Sequence, residues 1–170
     1  MKRLVALREL QILETPEEES FDRLTRLGAR LFGVPICLIS LVDEWRQWFK
    51  AKDGPEARET PRSASFCAVA MGSPNGYTVL DATRHERFQN NPLVTGPPGI
   101  RFYAGAPLVS KDGYPLGTFC VIDLKPHPEF GAEDQKSLAD LAALTVLLLE
   151  ARLLQIFRDE IEAREKVPAG

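Results

Sequence analysis

The chain has 170 residues, 44% of them hydrophobic and 26% charged, with a formal net charge of −3. That size and balance fit one domain with a substantial core, and the charge offers no general attraction to nucleic-acid phosphates or anionic membranes, so neither is expected as a partner. Arg8, Glu9 and Gln11 interrupt any export signal, no apolar run reaches bilayer length, and three cysteines without CxxC spacing (Cys37, Cys67, Cys120) argue against a disulfide framework or zinc site, which together lead us to expect a cytoplasmic protein.

In chain order, Leu4, Leu7, Leu10 and Leu13 predict a short amphipathic helix over residues 3–13. Thr15-Pro16-Glu17-Glu18 reads as a helix start, with Thr15 at the N-cap, Pro16 at N1 and Glu18 closing a capping box. Phe21, Leu24, Leu27, Leu31 and Phe32 continue that helix to Gly33-Val34-Pro35. Residues 36–42, ICLISLV, are a near-continuous aliphatic run and predict a central strand covered on both faces. After a reversal at Asp43 and Glu44, residues 46–50 predict a second strand, and residues 53–61 a loop. Ser63 or Ser65 is placed to cap a short helix over 66–71, followed by a third strand over 77–80. Residues 81–98 are polar and turn-rich, with Phe88 and Leu93 as apolar anchors, and a segment of this kind is often a functional flap.

Residues 100–109 and 116–123 read as a hairpin closed by Asp112-Gly113. Alternation puts Phe102, Ala104, Ala106 and Leu108 on a core face, and Arg101, Tyr103, Gly105 and Val109 on the other. Gly105 and Gly117 remove side-chain bulk there, an expected gap for a helix or ligand. A long helix follows over 133–165, built on Leu138, Leu141, Leu144, Leu148 and Ile156, and residues 167–170 read as a frayed tail. The organisation expected is an N-terminal helix over 1–14, a domain over 15–150 and a helical extension over 151–170. The extension calls for a partner through Leu153, Ile156 and Phe157, either a second copy or the chain's own N-terminal helices.

The segments ILETPEEESFDRLTRLGARLFGVPICLISLVDE, RQWFKAKDG, ETPRSASFCAVA, NPLVTGPPGIRFYAGAPL and DGYPLGTFCVID resemble GAF sensory domains. The group they resemble stands at the N-terminus of bacterial histidine kinases and diguanylate cyclases, or alone. The resemblance implies an α+β fold: an antiparallel sheet of about five or six strands, terminal helices on one face, and short helices over a pocket on the other. It also implies signal transduction, with a downstream kinase or cyclase domain as a possible partner. Where this group commonly reads Cys-Ala-His-Ala the chain has Cys67-Ala68-Val69-Ala70, and Val69 can neither ligate nor titrate. The Asn-Lys-Phe-Asp type motif of cyclic-nucleotide-binding members is absent, and neither His85 nor His127 lies beside a cysteine as bilin attachment would require.

Phe66, Cys67, Asp81, Phe88, Arg101, Tyr103 and Asp123 are the candidate ligand-binding residues. Arg101 offers a planar fork for an anion and Tyr103 a ring with one polar tip; the alternative is an ion pair of Arg101 with an acid such as Asp81 or Asp123, with Tyr103 capping the flap. The cysteines read as buried and inert, Trp45 and Trp48 as core, and His85 and His127 as solvated. No metal site, cofactor or catalytic constellation is legible; a ligand, if one binds, is an unidentified small molecule. The function expected is a non-catalytic sensory or regulatory module that relays pocket state through its terminal helices. One rival is a thiol-dependent enzyme resembling free-methionine sulfoxide reductases, which would need Cys67 to meet Cys120 or an external thiol. The other is a homodimerisation scaffold whose pocket is filled by its own side chains.

Overall fold

The computed structural model describes residues 1–166; the tail at 167–170 lies outside the described residues. The chain runs α1 (Lys2–Glu9), α2 (Glu19–Phe32), β1 (Ile36–Val42), β2 (Arg46–Asp53), β3 (Glu59–Pro61), α3 (Phe66–Ala70), β4 (Tyr77–Val79), α4 (Pro92–Thr95), β5 (Phe102–Val109), β6 (Pro115–Asp123) and α5 (Ala132–Glu165). The six strands form one antiparallel sheet in the order β3-β2-β1-β6-β5-β4. The aliphatic run of β1 therefore sits at the centre, beside the hairpin strand β6, and all seven of its residues are buried. The fold is α+β, with the terminal helices on one face and the short helices on the other.

Two cores result, one on each face of the sheet. On the helix side, Phe102, Ala104, Ala106, Leu108, Phe119 and Val121 pack against Leu7, Ile12, Phe21, Leu24, Leu138 and Leu149. On the opposite side, Leu38, Phe49, Val79, Tyr103, Cys120 and Ile122 pack against Phe66, Cys67, Phe88 and Val94. The alternation predicted along β5 holds for Phe102, Tyr103, Ala104, Ala106 and Leu108; after a register shift between Leu108 and Val109, Val109 is exposed beside Ala139 and Ala142 of α5, not on the opposite face as expected. Gly28 of α2 faces the sheet, where a Cβ would fall 2.7 Å from the sulfur of Cys37 and 3.0 Å from the Phe119 ring.

Several local expectations are corrected. Helix α1 stops at Glu9, since Gln11 (φ 49°) and Glu14 (φ 61°) take left-handed backbone that turns Ile12 into the core. Thr15 does not cap α2, which begins four residues later, and its N-cap Glu18 makes no capping bond. The cause is Lys50, whose side chain is wholly buried. Its Nζ donates to Thr15 Oγ1 at 3.0 Å, to the Pro16 carbonyl at 2.7 Å and to the Glu18 carboxylate, so 15–18 stays extended around a cation. Strand β2 runs on to Asp53, and the expected loop contains the edge strand β3, held by Gln47 opposite Thr60. Trp48 is core, but Trp45 is 80% exposed, because the reversal between β1 and β2 projects it from the domain.

Candidate functional site

Strand β5 brings Tyr103 to the face opposite the helices, and α3 lies over it. Ser65 caps α3, accepting from the Ala68 N–H at 3.0 Å, and so fixes Phe66 and Cys67 at its first turn. The flap returns over α3 and seats Phe88 on Phe66, ring centroids 3.9 Å apart and 7° from parallel, while Phe66 leans on Tyr103 at 5.3 Å. The structure brings Phe66, Cys67, Phe88 and Tyr103 together in one buried cluster.

The expected glycine gap is closed. A Cβ on Gly105 would lie 2.3 Å from the Tyr103 hydroxyl, and one on Gly117 would lie 1.9 Å from the Ser40 carbonyl. Tyr103 folds its ring into the first space, and the β1 backbone fills the second. Tyr103 is thus an interior residue in place of a flap cap, its hydroxyl donating to Cys67 Sγ at 3.4 Å and meeting Thr118 Oγ1 at 3.4 Å.

Asp81, Arg101 and Asp123 do not join this cluster. Arg101 forms no ion pair with either acid; its Nη1 donates to the carbonyls of Val94 (3.0 Å) and Ile100 (3.1 Å), bracing α4 and the flap's end. Asp81 caps a 3-10 turn through Thr83 Oγ1 at 2.6 Å and the Thr83 N–H at 3.0 Å, bonds that hold its carboxyl below the ordinary value. Asp123 belongs to the helix side of the sheet, where its Oδ2 meets His127 Nε2 at 2.7 Å. His127 is not free in solvent: Pro126 and Pro128 turn the loop back, and the imidazole stacks on Phe102 at 3.8 Å and 10°. His85 likewise lies against the flap, 3.4 Å from the Tyr77 hydroxyl and 5.1 Å from the Phe88 ring centre.

Beneath α3 runs a buried polar thread that sequence reasoning missed. Ser40 and Ser65 both donate to Gln47 Oε1, at 3.2 and 2.6 Å, and Thr118 continues the line to Tyr103. Ser40, Gln47 and Thr118 are at most 5% exposed, and the only sequence signal is a polar residue inside an otherwise apolar strand. At its end Cys67 and Cys120 approach to 3.7 Å between sulfurs. Burial pushes the Cys67 thiol up, but hydrogen bonds from Cys120, Thr118, Tyr103 and Ser40 outweigh it and hold the thiol below its ordinary value. Burial pushes the Cys120 thiol up, as it does Cys37 on the other face.

An open cleft of about 580 Å³ lies outside the aromatic stack. Ser65, Ala68 and Val69 of the α3 segment, Phe88 and Asn91 of the flap, and Trp45, Arg62 and Arg87 line it. Arg62 is anchored by Nη1 to the carbonyls of Asp43 and Glu44, at 3.2 and 3.3 Å. Among the described residues no group of three or more histidine, cysteine or acidic side chains could hold a metal ion, and no helix is long and apolar enough to cross a membrane. At the far end of the molecule, Leu153 and Ile156 are half-buried, and Leu153 and Phe157 border a groove of about 910 Å³ with Val5 and Leu10 of the N-terminal segment.

Comparison with known proteins agrees with this architecture. The cyclic di-GMP phosphodiesterase PA2567 of Pseudomonas aeruginosa is 43% identical over 138 residues, which cover 81% of this chain and 24% of that protein, so the chain spans about a quarter of that relative's length. The GAF domain of PixJ from Thermosynechococcus elongatus, in its blue-light absorbing form, superposes with a TM-score of 0.64 at 17% identity, over 97% of this chain and 98% of that one. The type II free methionine-R-sulfoxide reductase of Thermoplasma acidophilum superposes with a TM-score of 0.60 at 14% identity, over 78% of this chain and 94% of that one. These two likenesses show the fold. The sequence profile of the GAF domain matches residues 16–149, and the chain belongs to the GAF domain family.

Proposed function

We propose that the chain is a cytoplasmic, non-catalytic sensory module of bacterial signal transduction that takes a small anionic molecule in the cleft over α3. The observation that carries this reading is the cleft itself: two arginines, Arg62 and Arg87, line it against one acid, Glu44, together with Trp45, Phe88 and Asn91. Its inner wall is Phe88, which stacks on Phe66 and through it on Tyr103, so a ligand that moves Phe88 acts on the sheet through Phe66, Cys67 and Tyr103. Arg101 holds the flap's end in place and Asp81 its beginning. The output passes through α5 to a second copy or to a downstream kinase or cyclase domain, or to a phosphodiesterase domain as the relative's name suggests; the net charge of −3 favours neither nucleic acid nor anionic membrane as a partner.

Native mass spectrometry of protein purified from its own host tests this. The expected result is a co-purifying small anion that Arg87→Ala, in an exposed side chain, releases without loss of fold. A bound molecule indifferent to Arg62 and Arg87, or protein mass alone at micromolar concentration with a full set of host metabolites re-added, overturns it.

A thiol-reductase reading is favoured by one observation, the approach of Cys67 to Cys120. It requires NADPH-coupled turnover of methionine sulfoxide in the presence of thioredoxin, lost in Cys67→Ser. Against it stands the burial of Cys67, whose neighbour Phe66 is covered by the stacked ring of Phe88.

A further inference from the structure

We propose that Cys67 and Cys120 form a redox switch, in which a hydroperoxide joins the two thiols as a disulfide that ties α3 to β6, and a dithiol reductant releases it. Both sulfurs are free and buried, and they stand 3.7 Å apart with no side chain between them to displace. A disulfide needs about 2.0 Å, so they must close by roughly 1.7 Å. The moving side is α3. Cys120 lies in a strand paired on both sides, opposite Leu38 of β1 and Gly105 of β5, whereas Cys67 sits in a helix of five residues. Cys37 supplies an internal contrast: it is equally buried but faces the helix-side core, across the sheet from the pair.

The surroundings assign the two sulfurs different parts. The Tyr103 hydroxyl donates to Cys67 Sγ at 3.4 Å, and this hydroxyl is itself placed by Thr118 and by the absence of a side chain at Gly105. Such donors stabilise a thiolate at Cys67. Cys120 has no comparable set, and burial keeps its proton on. In the first step the Cys67 thiolate attacks the hydroperoxide: an S–O bond forms, the O–O bond breaks, and the alkoxide leaves with the proton that the Cys67 thiol gave up. In the second, Cys120 sulfur attacks the Cys67 sulfenic acid: the S–S bond forms, the S–O bond breaks, and the departing hydroxide takes the Cys120 proton as water. Two thiols lose two electrons in all, and the hydroperoxide becomes one alcohol and one water. Ser65, Ala68 and Val69, which flank Cys67 in the chain, line the outer cleft, so the oxidant's approach is from that side.

The mechanical consequence reaches the flap. Phe66 precedes Cys67 and is stacked on Phe88, so drawing α3 toward β6 moves the ring on which the flap rests. This inference goes beyond the sensory reading and stands without any ligand in the cleft.

The test uses the full chain and hydrogen peroxide. The expected result is a fall from three titratable thiols to one after unfolding, a Cys67–Cys120 crosslinked peptide in the digest, and full recovery with dithiothreitol. Cys37→Ser should still form the crosslink, and Cys120→Ser should leave a sulfenic acid at residue 67 that dimedone captures. Amide hydrogen exchange over residues 81–98 should differ between the reduced and oxidised forms. Three intact thiols in the wild type, under exposure that fully oxidises glutathione, overturn the proposal. So does a crosslink through Cys37 or between molecules, or a flap whose exchange ignores the disulfide.

Discussion

The carboxylate of Glu18 accepts a hydrogen bond from Arg152 Nε at 2.9 Å and another from the buried ammonium of Lys50. One acid therefore joins the segment before α2, the strand β2 and the midpoint of the C-terminal helix. Arg152 adds a bond from Nη1 to the Gln11 carbonyl at 3.0 Å, so α5 is held to the chain's N-terminal part by polar contacts as well as by its apolar stripe.

Burial alone would raise the Glu18 carboxyl, but hydrogen bonds from Lys50 and Arg152 overcome it and hold the group below its ordinary value. A carboxyl lowered in the folded state stabilises above its unfolded value, about 4.3, and loses that contribution as pH falls through the lower folded value. Glu18→Gln should therefore flatten the acid limb of a stability profile measured by urea denaturation between neutral pH and the acid end. An unchanged acid limb would remove Glu18 from its control.

Gly117 and Gly113 should respond very differently to alanine. At Gly117 a Cβ meets the Ser40 carbonyl at 1.9 Å, a backbone atom of the central strand, whereas at Gly113 it meets nothing within 4 Å and only the positive φ of 82° resists. Gly117→Ala should cost roughly 3 kcal/mol or more and Gly113→Ala about 1 kcal/mol. Chemical denaturation of both variants gives the comparison.

Phe88→Ala removes the ring that fills the space between flap and α3. A loss of roughly 3 to 4 kcal/mol is expected from the cavity, together with faster amide exchange across residues 81–98. A flap that exchanged at the wild-type rate would mean that Arg101, through Val94 and Ile100, holds it alone.

Helix α5 carries an outward stripe, Leu144, Leu147, Leu154, Phe157 and Ile161, with Leu147, Leu154 and Ile161 seven residues apart. Such spacing is that of a coiled-coil seam, and we predict that a second copy covers it. Leu154→Glu should convert a dimer to a monomer in analytical ultracentrifugation while leaving the circular dichroism of the domain unchanged. The seam shares Phe157 with the residues expected from sequence, but Leu153 and Ile156 turn partly inward.

Continuous or strongly periodic segments were legible without coordinates. Strand β1, the hairpin and α5 each follow from their own residues, and the alternation along β5 sorted its side chains between the two cores. What failed depended on distant partners. The start of α2 is set by Lys50, more than thirty residues further on, and β3 is too short to show a period. The aromatic half of the candidate site was visible as large apolar residues near a predicted pocket. Its polar thread was not, because a serine in ICLISLV or a threonine in PLGTFCVID acquires a role only once the strands are in register.

The sheet that divides the two cores is a single peptide layer, and Phe102, Tyr103 and Ala104 enter them alternately. The two compartments share a party wall, and their volumes are not independent. A side chain enlarged on the cleft side must be accommodated by bowing that wall, and the terminal helices rest on its other surface. Substitutions far from the cleft, at Phe119 or Leu138, should then alter how the cleft closes, with no contact between them and whatever lies in it.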